Sequence, residues 1–336
     1  MIAALILGTY AFVVALYAPI VLHRRWPADR TPRLTVTVLH ILSCSFLIAA
    51  TTAGLALGLT LIDRLTTLSP SIDACSDQLP INDESAVGPL IGDLGLAAAV
   101  TLAIRIVYSL LVTFGAARRR RRHHAKALRV LATPDHEQGF LILDHAEPAC
   151  YCLPGRPGTV VISSGALNRL SPPQLRAVLA HERAHLRSRH HLVIALAVAV
   201  RRAVPGVRLL AYTERETRRL VELIADDAAA RQSGAATVAS ALAVIGLGHV
   251  PGAALGMGSR DLPPAVARVT RLVLSERRLR RRTRVLSLVI AIATAAVPVL
   301  LAVVSAMAVV RHCPRDHDDG LPQSGRPVSV AQHGPR

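Results

Sequence analysis

The string His181-Glu182-Arg183-Ala184-His185 has the residue types and the spacing of a catalytic metal site. Residues four apart lie on the same face of a helix, so both imidazoles could bind one ion. The surrounding stretch predicts such a helix, because Ser171 is a good N-cap, Pro172 suits the first helical position and apolar residues recur at helical spacing. The string therefore predicts a zinc site on a helix, with a glutamate beside the first histidine.

A catalytic zinc ion takes three protein ligands and keeps a fourth position for water. The downstream segment ERETRRLVELIADDAAARQ has a helical pattern that places Glu222 and Asp226 on one face. We predict Glu222 as the third ligand and Asp226 as a carboxylate one turn later that orients a zinc histidine. Glu214 and Glu216 lie among arginines and are predicted to form solvated ion pairs, and Asp227 points off the shared face.

The predicted chemistry is hydrolysis of a peptide bond by zinc held on His181, His185 and Glu222. The metal lowers the pKa of its bound water and polarises the scissile carbonyl. Glu182 takes the proton of the water and passes it to the leaving amine. A structural zinc ion is more often closed by four ligands and needs no such glutamate. Glu182 thus argues against a non-catalytic membrane sensor with a structural zinc site.

The group that would stabilise the oxyanion stays open at this point. His190, His191 and Tyr212 are the candidates. The two histidines are equally consistent with an interfacial pair that has no role in the chemistry.

Three short segments before the metal helix are predicted to be strands, because Pro-Gly turns separate them. They cover residues 139–144, 149–153 and 159–163. An edge strand beside a metal helix can pair with an extended substrate, although a purely structural sheet explains any one of these strands equally well. Cys150 and Cys152 are predicted to be small buried residues on one side of the second strand.

The composition of the chain is typical of an integral membrane protein. Hydrophobic residues make up 51% and mean hydropathy is +0.41, yet the formal net charge is +17. Charge and apolar surface must therefore be segregated, and the arginines do run beside long apolar segments. Aromatic residues amount to only 3%, which argues against a stacking surface for nucleic acid. We predict the lipid bilayer as a partner and no direct nucleic-acid partner.

Four apolar segments are long enough to span a membrane as helices. They cover residues 1–22, 34–62, 90–117 and 284–311. The first segment lacks the basic region and cleavage site of a signal peptide, so we expect it to be retained. His40 is predicted to be a hydrogen-bonded packing residue. Arg105 is predicted to extend its side chain to the inner interface, and the alternative is that it faces the helix bundle.

The distribution of arginine predicts the orientation of these spans. Basic blocks at 23–33, 118–129 and 277–284 are expected to be cytoplasmic. The acidic loop at 63–89 and the tail at 312–336 are then extracytoplasmic, as is the N-terminus, and the tail has the composition of a disordered segment. The predicted location is the plasma membrane, crossed several times.

Residues 118–283 are consequently predicted to form a cytoplasmic domain that carries the metal site. The predicted fold class is mostly α, a multi-span helical membrane protein with an α+β HExxH metallopeptidase domain. The apolar segment 191–200 is too short to span, so we predict that it prolongs the metal helix, with its far end in the core or in the inner leaflet. Cys75 and Cys313 both lie in segments predicted to be extracytoplasmic, and this topology alone would allow a disulfide between them.

The strings PACYCLPGRPGTVVISSGALNRLSPPQLRAVLAHERAHLRSRHH and VELIADDAAA resemble membrane-embedded metallopeptidases of the BlaR/MecR antirepressor type, particularly short members without a sensor domain. The chain is more distantly similar to the HtpX and CAAX-prenyl-protease group, whose HExxH motif has a downstream E-x-x-A-D. The resemblance covers about residues 118–275 and implies a gluzincin-like domain, zinc bound by His181, His185 and Glu222, Glu182 as acid and base, and a cytoplasmic active site.

The same resemblance implies what the substrate would be. In the antirepressor type it would be a winged-helix repressor whose cleavage releases transcription. The alternative is quality control of membrane proteins, as in the HtpX group. BlaR/MecR sensors carry an extracellular penicillin-binding domain after the last span, whereas about 25 residues follow it here, so we do not predict direct sensing of β-lactams.

Overall fold

The computed structural model describes residues 2–66, 87–245 and 265–274, together with short pieces and single positions between 285 and 303. Most of the described residues are helical. The longer helices are α1 (Ile2–Arg25), α2 (Pro32–Thr66), α3 (Val87–Leu131), α5 (Pro172–Arg187), α6 (His190–Ala203), α7 (Arg208–Ser233), α8 (Ala235–Ile245) and α9 (Ala265–Val273). One helical turn, α4 (Ser164–Leu167), follows the sheet, and a 3-10 turn at Ala28–Arg30 joins α1 to α2.

Three of the described helices are long and apolar enough to cross a membrane: Ala3–Arg25, Pro32–Gly58 and Leu90–Leu131. They coincide with the first three predicted spans and indicate a membrane protein. Helix α3 continues without a break through the arginine run to Leu131, so the predicted boundary after residue 117 falls inside a helix. The fourth predicted span, most of the 63–89 loop, the 312–336 tail, Cys75 and Cys313 lie largely or wholly outside the described residues.

A four-stranded sheet follows α3. Its strands are β1 (Ala132–Asp135), β2 (Phe140–Leu143), β3 (Cys150–Leu153) and β4 (Thr159–Ser163), in the order β1-β2-β4-β3. β2 and β4 are parallel, and the other two pairs are antiparallel. The three predicted strands are confirmed as β2, β3 and β4, while β1 was not predicted.

The sheet is packed between two helices. Tyr151 and Val161 lie against Leu128 of α3, whereas Cys150 and Ile162 belong to the apolar cluster that includes residues of α5. β3 is an edge strand next to α5, as the edge-strand interpretation requires, and all four of its residues are buried. The sheet thus fixes α5 from one side.

The metal helix ends before the apolar segment begins. α5 stops at Arg187, and Arg189 adopts left-handed backbone angles, with φ 50° and ψ 39°. A helix cannot continue through that conformation, so α6 starts afresh at His190. The prediction that residues 191–200 prolong the metal helix is therefore wrong.

Helix α6 lies along α3. Ser109 Oγ donates to the carbonyl of Ala199 at 2.7 Å, and Arg105 Nε donates to the carbonyl of Ala203 at 2.9 Å. The bond from Arg105 satisfies a carbonyl group at the end of α6 that has no partner within the helix, and the bond from Ser109 adds a second contact between the two helices. Arg105 therefore contacts a neighbouring helix, as expected for the alternative in which it faces the helix bundle.

Helix α2 contacts both α6 and α7. The ring nitrogens of His40 lie 2.8 Å from the carbonyl of Val36 and 3.4 Å from that of Val193. His40 is thus the hydrogen-bonded packing residue that was predicted. Deeper in the same helix, the hydroxyls of Ser43 and Thr213 are 3.0 Å apart. The helices that carry the candidate site are consequently packed against the spans.

Helix α7 carries two buried glutamates in its first half. Glu214 pairs with Arg201 at 2.9 Å and with Arg218 at 2.7 Å, and Glu216 pairs with Arg219 at 2.9 Å. Both glutamate side chains are only 11% exposed. The predicted ion pairs exist, but their two carboxylates are buried instead of solvated, on a helix that packs against α1, α2 and α6.

Candidate metal centre

Two helices bring three metal-ligating side chains together. His181 and His185 lie on one face of α5, and Glu222 reaches them from α7. The Nε2 atoms of the two histidines are 3.1 Å apart. Glu222 Oε2 lies 3.5 Å from Nε2 of His181, and Glu222 Oε1 lies 3.5 Å from Nε2 of His185. The three side chains thus form a donor triangle, in which each carboxylate oxygen of Glu222 faces one of the two histidines.

This triangle has the size that zinc requires. About 3.3 Å separates two ligand atoms around a tetrahedral zinc ion whose bonds are about 2.0–2.1 Å long. Two imidazoles and one carboxylate are also a donor set that zinc accepts in catalytic sites. His181, His185 and Glu222 could thus hold the ion, with the fourth position left for water.

The capped start of α5 matches the sequence prediction. Ser171 is the N-cap and Pro172 begins the helix, while the backbone N–H of Ser171 donates to Gln174 Oε1 at 2.9 Å. The helix therefore begins about two and a half turns before the first histidine, which fixes the direction of both rings.

Asp226 lies behind His181, one turn after Glu222 on α7. Its Oδ1 is 3.1 Å from Nδ1 of His181, on the side of the ring opposite to the ligating nitrogen. The carboxylate is completely buried. Asp226 therefore occupies the place from which a carboxylate orients a metal-binding histidine.

Sequence reasoning missed Arg268, which comes from α9. Its Nε and Nη2 bind the two oxygens of Asp226 at 2.8 and 2.5 Å, and its Nη1 lies 3.2 Å from Glu222 Oε2. The side chain is 9% exposed. The one signal in the sequence is an arginine one turn before Leu272 on the apolar face of a short helix, and that pattern does not indicate which carboxylates it meets.

The ionisable side chains of the metal cluster shift the pKa values of one another. Burial alone would lower the pKa of His181, but the carboxylates of Asp226 and Glu222 outweigh it and raise the pKa to about 10. Burial opposes ionisation of Glu222 as well, yet His185, His181 and Arg268 hold its pKa well below the usual range. Burial lowers the pKa of His185 to about 3. The site thus favours a positive charge beside its carboxylates, which is the charge that a zinc ion would supply.

Glu182 follows His181 and is not one of the three clustered donors. Burial raises its pKa to about 7, and the nearby charge of His181 opposes that shift. The thiol of Cys152 on β3 forms a hydrogen bond with Glu182, and burial raises the pKa of that thiol well above its usual range. A carboxyl group with a pKa near neutrality is suited to accepting and releasing a proton. Cys150 and Cys152 are free and buried, as predicted.

The three residues predicted as candidates to stabilise the oxyanion lie in different surroundings. His190 contacts His185, but through Nδ1 of both rings, 2.9 Å apart, which is the side away from the donor triangle. Tyr212 lies against α1, with its ring 6.4 Å from that of His23. His191 has a buried Nδ1 without a hydrogen-bond partner. Neither His190 nor Tyr212 is placed to donate to an oxyanion at the cluster.

Comparison with known proteins agrees with this geometry. Residues 116–247 match the profile of Peptidase family M48. The matched segment contains the sheet, α5, α6, α7 and all three clustered donors, whereas Arg268 lies beyond it. No curated protein and no solved structure matches the chain. This match covers less than half of the chain and makes the matched segment similar to a family of metallopeptidases. The three long apolar helices are consistent with association with a membrane.

Proposed function

We propose that this chain is an integral-membrane zinc endopeptidase that cleaves proteins at the cytoplasmic face of the plasma membrane. The observation that carries the proposal is the triangle of His181, His185 and Glu222 with Glu182 beside it. Three ligands and an adjacent free carboxyl group are what hydrolysis needs and what a closed structural zinc site does not.

In this proposal His181, His185 and Glu222 hold Zn²⁺. When bound, the ion lowers the pKa of its water and polarises the scissile carbonyl. Glu182 accepts the proton of the attacking water and then delivers it to the leaving amine. Glu182 is next to the ligand His181 and is not one of the three clustered donors, so its carboxyl group is available for both steps.

Asp226 and Arg268 hold this arrangement in place. Asp226 Oδ1, 3.1 Å from Nδ1 of His181, would hold that nitrogen as the protonated one, so that Nε2 is left to bind the metal. Arg268 fixes both Asp226 and Glu222 and offsets the negative charge that two buried carboxylates bring together.

The arginine distribution supports the proposed side of the membrane, and the helix packing supports a site close to it. The basic runs at 23–33 and 118–129 flank the first three spans, as cytoplasmic segments do. Moreover, α6 and α7 pack directly against α2 and α3, so the metal cluster is held close to the membrane. A protein substrate would be cut near the point where the spans leave the bilayer on that side.

The substrate class that we propose is a winged-helix repressor, as the resemblance to the BlaR/MecR type implies. Cleavage of a repressor would be regulatory, with a few defined products. Quality control in the manner of HtpX would instead give many products from damaged membrane proteins. The two functions therefore differ in the number and location of the fragments that disappear when the enzyme is inactive.

The test is Glu182→Gln, which keeps the shape of the side chain and removes its ability to accept a proton. We expect the purified protein to keep its zinc, and peptide cleavage to fall by about 10²–10⁴-fold. Glu137→Gln makes the same chemical change at an exposed turn and should cleave at the rate of the wild type.

Comparison of cellular peptides between the wild type and the Glu182→Gln variant then identifies the substrate. A repressor fragment that is lost in the variant supports regulation, and loss of many membrane-protein fragments supports quality control. Full cleavage activity in a zinc-containing Glu182→Gln variant would refute the proposed peptidase mechanism.

A further inference from the structure

His190 is a buried histidine that the proposed chemistry does not use. It is 4% exposed, and its Nδ1 lies 2.9 Å from Nδ1 of His185. The two rings are nearly perpendicular, at 88°, with their centroids 4.8 Å apart. This geometry is that of a directed hydrogen bond between the two nitrogens.

The break between α5 and α6 creates this contact. Because Arg189 takes left-handed backbone angles, α6 turns away from the axis of α5 at once. Its first residue, His190, is thereby placed against His185, five residues earlier. An uninterrupted helix would point residues 185 and 190 in directions more than a quarter turn apart.

The direction of the bond follows from the chemistry of His185. Its Nε2 faces His181 and Glu222, so this nitrogen is the one available to a metal. A neutral imidazole that binds a metal through Nε2 carries its proton on Nδ1. His185 must then donate from Nδ1, and His190 must accept with an unprotonated Nδ1, which leaves its own proton on Nε2.

We propose that His190 is a positioning residue that fixes the tautomer and the ring orientation of the zinc ligand His185. The inference rests on the proposed zinc site. Each ligand histidine would then have its own partner on the side away from the metal, Asp226 for His181 and His190 for His185. Removal of such a partner costs about 10–100-fold in metal affinity.

The test compares two substitutions, His190→Asn and His190→Leu, whose new side chains have nearly the same shape as each other. An asparagine oxygen can accept the bond from His185 Nδ1, whereas leucine cannot. The measurement is the dissociation constant for zinc of the purified full chain, by competition with a chelator of known affinity. We expect about 10–100-fold weaker binding for His190→Leu and a change of no more than about threefold for His190→Asn.

His191→Leu is the matched control, since it removes the neighbouring histidine, whose Nδ1 has no hydrogen-bond partner. It should leave the affinity unchanged. Wild-type affinity in His190→Leu, or equal losses in the Leu and Asn variants, would overturn the inference, because the accepting nitrogen would then not matter. A wild-type chain that binds no zinc would instead overturn the proposed function itself.

A second measurement needs no variant. The ¹⁵N chemical shifts of the histidine rings in the zinc-loaded wild type report which nitrogen carries each proton. We expect a protonated Nε2 and an unprotonated Nδ1 at His190. A proton on its Nδ1 would contradict the inference even if the His190→Leu variant failed to fold.

Discussion

Arg268 binds both oxygens of the Asp226 carboxylate, with Nε 2.8 Å from Oδ2 and Nη2 2.5 Å from Oδ1. Because Asp226 Oδ1 also lies 3.1 Å from His181, a guanidinium, a carboxylate and an imidazole form one buried chain that ends at the metal cluster. The chain joins α9, α7 and α5, so the arginine stabilises the packing of these helices as well as the charge of the site.

Arg268→Met tests the structural part of this relationship. The substitution leaves the carboxylates of Asp226 and Glu222 without their buried cation, and loss of one partner of a buried pair costs about 3–5 kcal/mol. We expect the free energy of unfolding in detergent to fall by that amount, as measured by denaturant titration of the metal-free chain.

The control lies one turn further along the same helix. Arg271 pairs with Asp227, whose side chain is 25% exposed, and donates from Nε and Nη2 to the exposed carbonyl of Asp29. Arg271→Met should therefore cost less, about 1–2 kcal/mol, because these partners remain accessible to water. If the two variants lost the same free energy of unfolding, the loss would come from weaker docking of α9 and not from the buried contact of Arg268 with the carboxylates.

Much of the site follows from periodicity. The two histidines and the pair Glu222 and Asp226 are each four residues apart, and the capped start of α5 makes the first helix predictable. For residues on different helices, the sequence predicted which side-chain types could bind one ion. It did not predict the distances between them, because the local sequence does not determine how two helices pack. Arg268 illustrates the limit: it lies 42 residues after Asp226, and its contact depends on how α9 packs.

The wrong predictions about the fold have the same origin. Arg189 takes left-handed angles although neither glycine nor proline marks the break, so local sequence gave no sign that α5 stops there. Glu214 and Glu216 look solvated in the sequence because their neighbours are arginines. Both carboxylates are nevertheless buried, because α7 packs against neighbouring helices, and only the tertiary structure reveals that packing.

Glu214 forms ion pairs with Arg201 and Arg218, and these ion pairs should make the free energy of unfolding depend on pH. Burial favours the neutral acid, but the bonds and charges of the two arginines outweigh it, so the pKa of Glu214 lies below its ordinary value of 4.5. Since the folded-state pKa is depressed, the stabilisation is complete above about pH 4.5 and is lost as the pH falls through the lower folded-state value.

We therefore expect Glu214→Gln to destabilise the protein by about 1.5 kcal/mol at pH 7, near the lower limit for bonds to charged groups, because glutamine keeps one accepting oxygen. The thermal midpoints of the variant and the wild type, measured in detergent from pH 7 down to pH 3, should converge below pH 4.5. Glu137→Gln, at an exposed turn, should show little difference at any pH. A constant gap between Glu214→Gln and the wild type would indicate lost packing instead of lost charge.

The orientation of the chain can be tested on both sides of α6. That helix has 14 residues, which span about 21 Å, whereas the hydrocarbon core of a bilayer is about 30 Å thick. Helix α6 is therefore too short to cross the bilayer, and the segments before and after it should lie on the same side of the membrane. Fusions of a fluorescent protein and of alkaline phosphatase after Gly139, in the exposed turn between β1 and β2, and after Leu274 should give the same result at both positions. We expect strong fluorescence and little phosphatase activity, as for cytoplasmic segments. Phosphatase activity at both positions would reverse the proposed orientation, and activity after Leu274 alone would mean that the chain crosses the membrane between the sheet and α9.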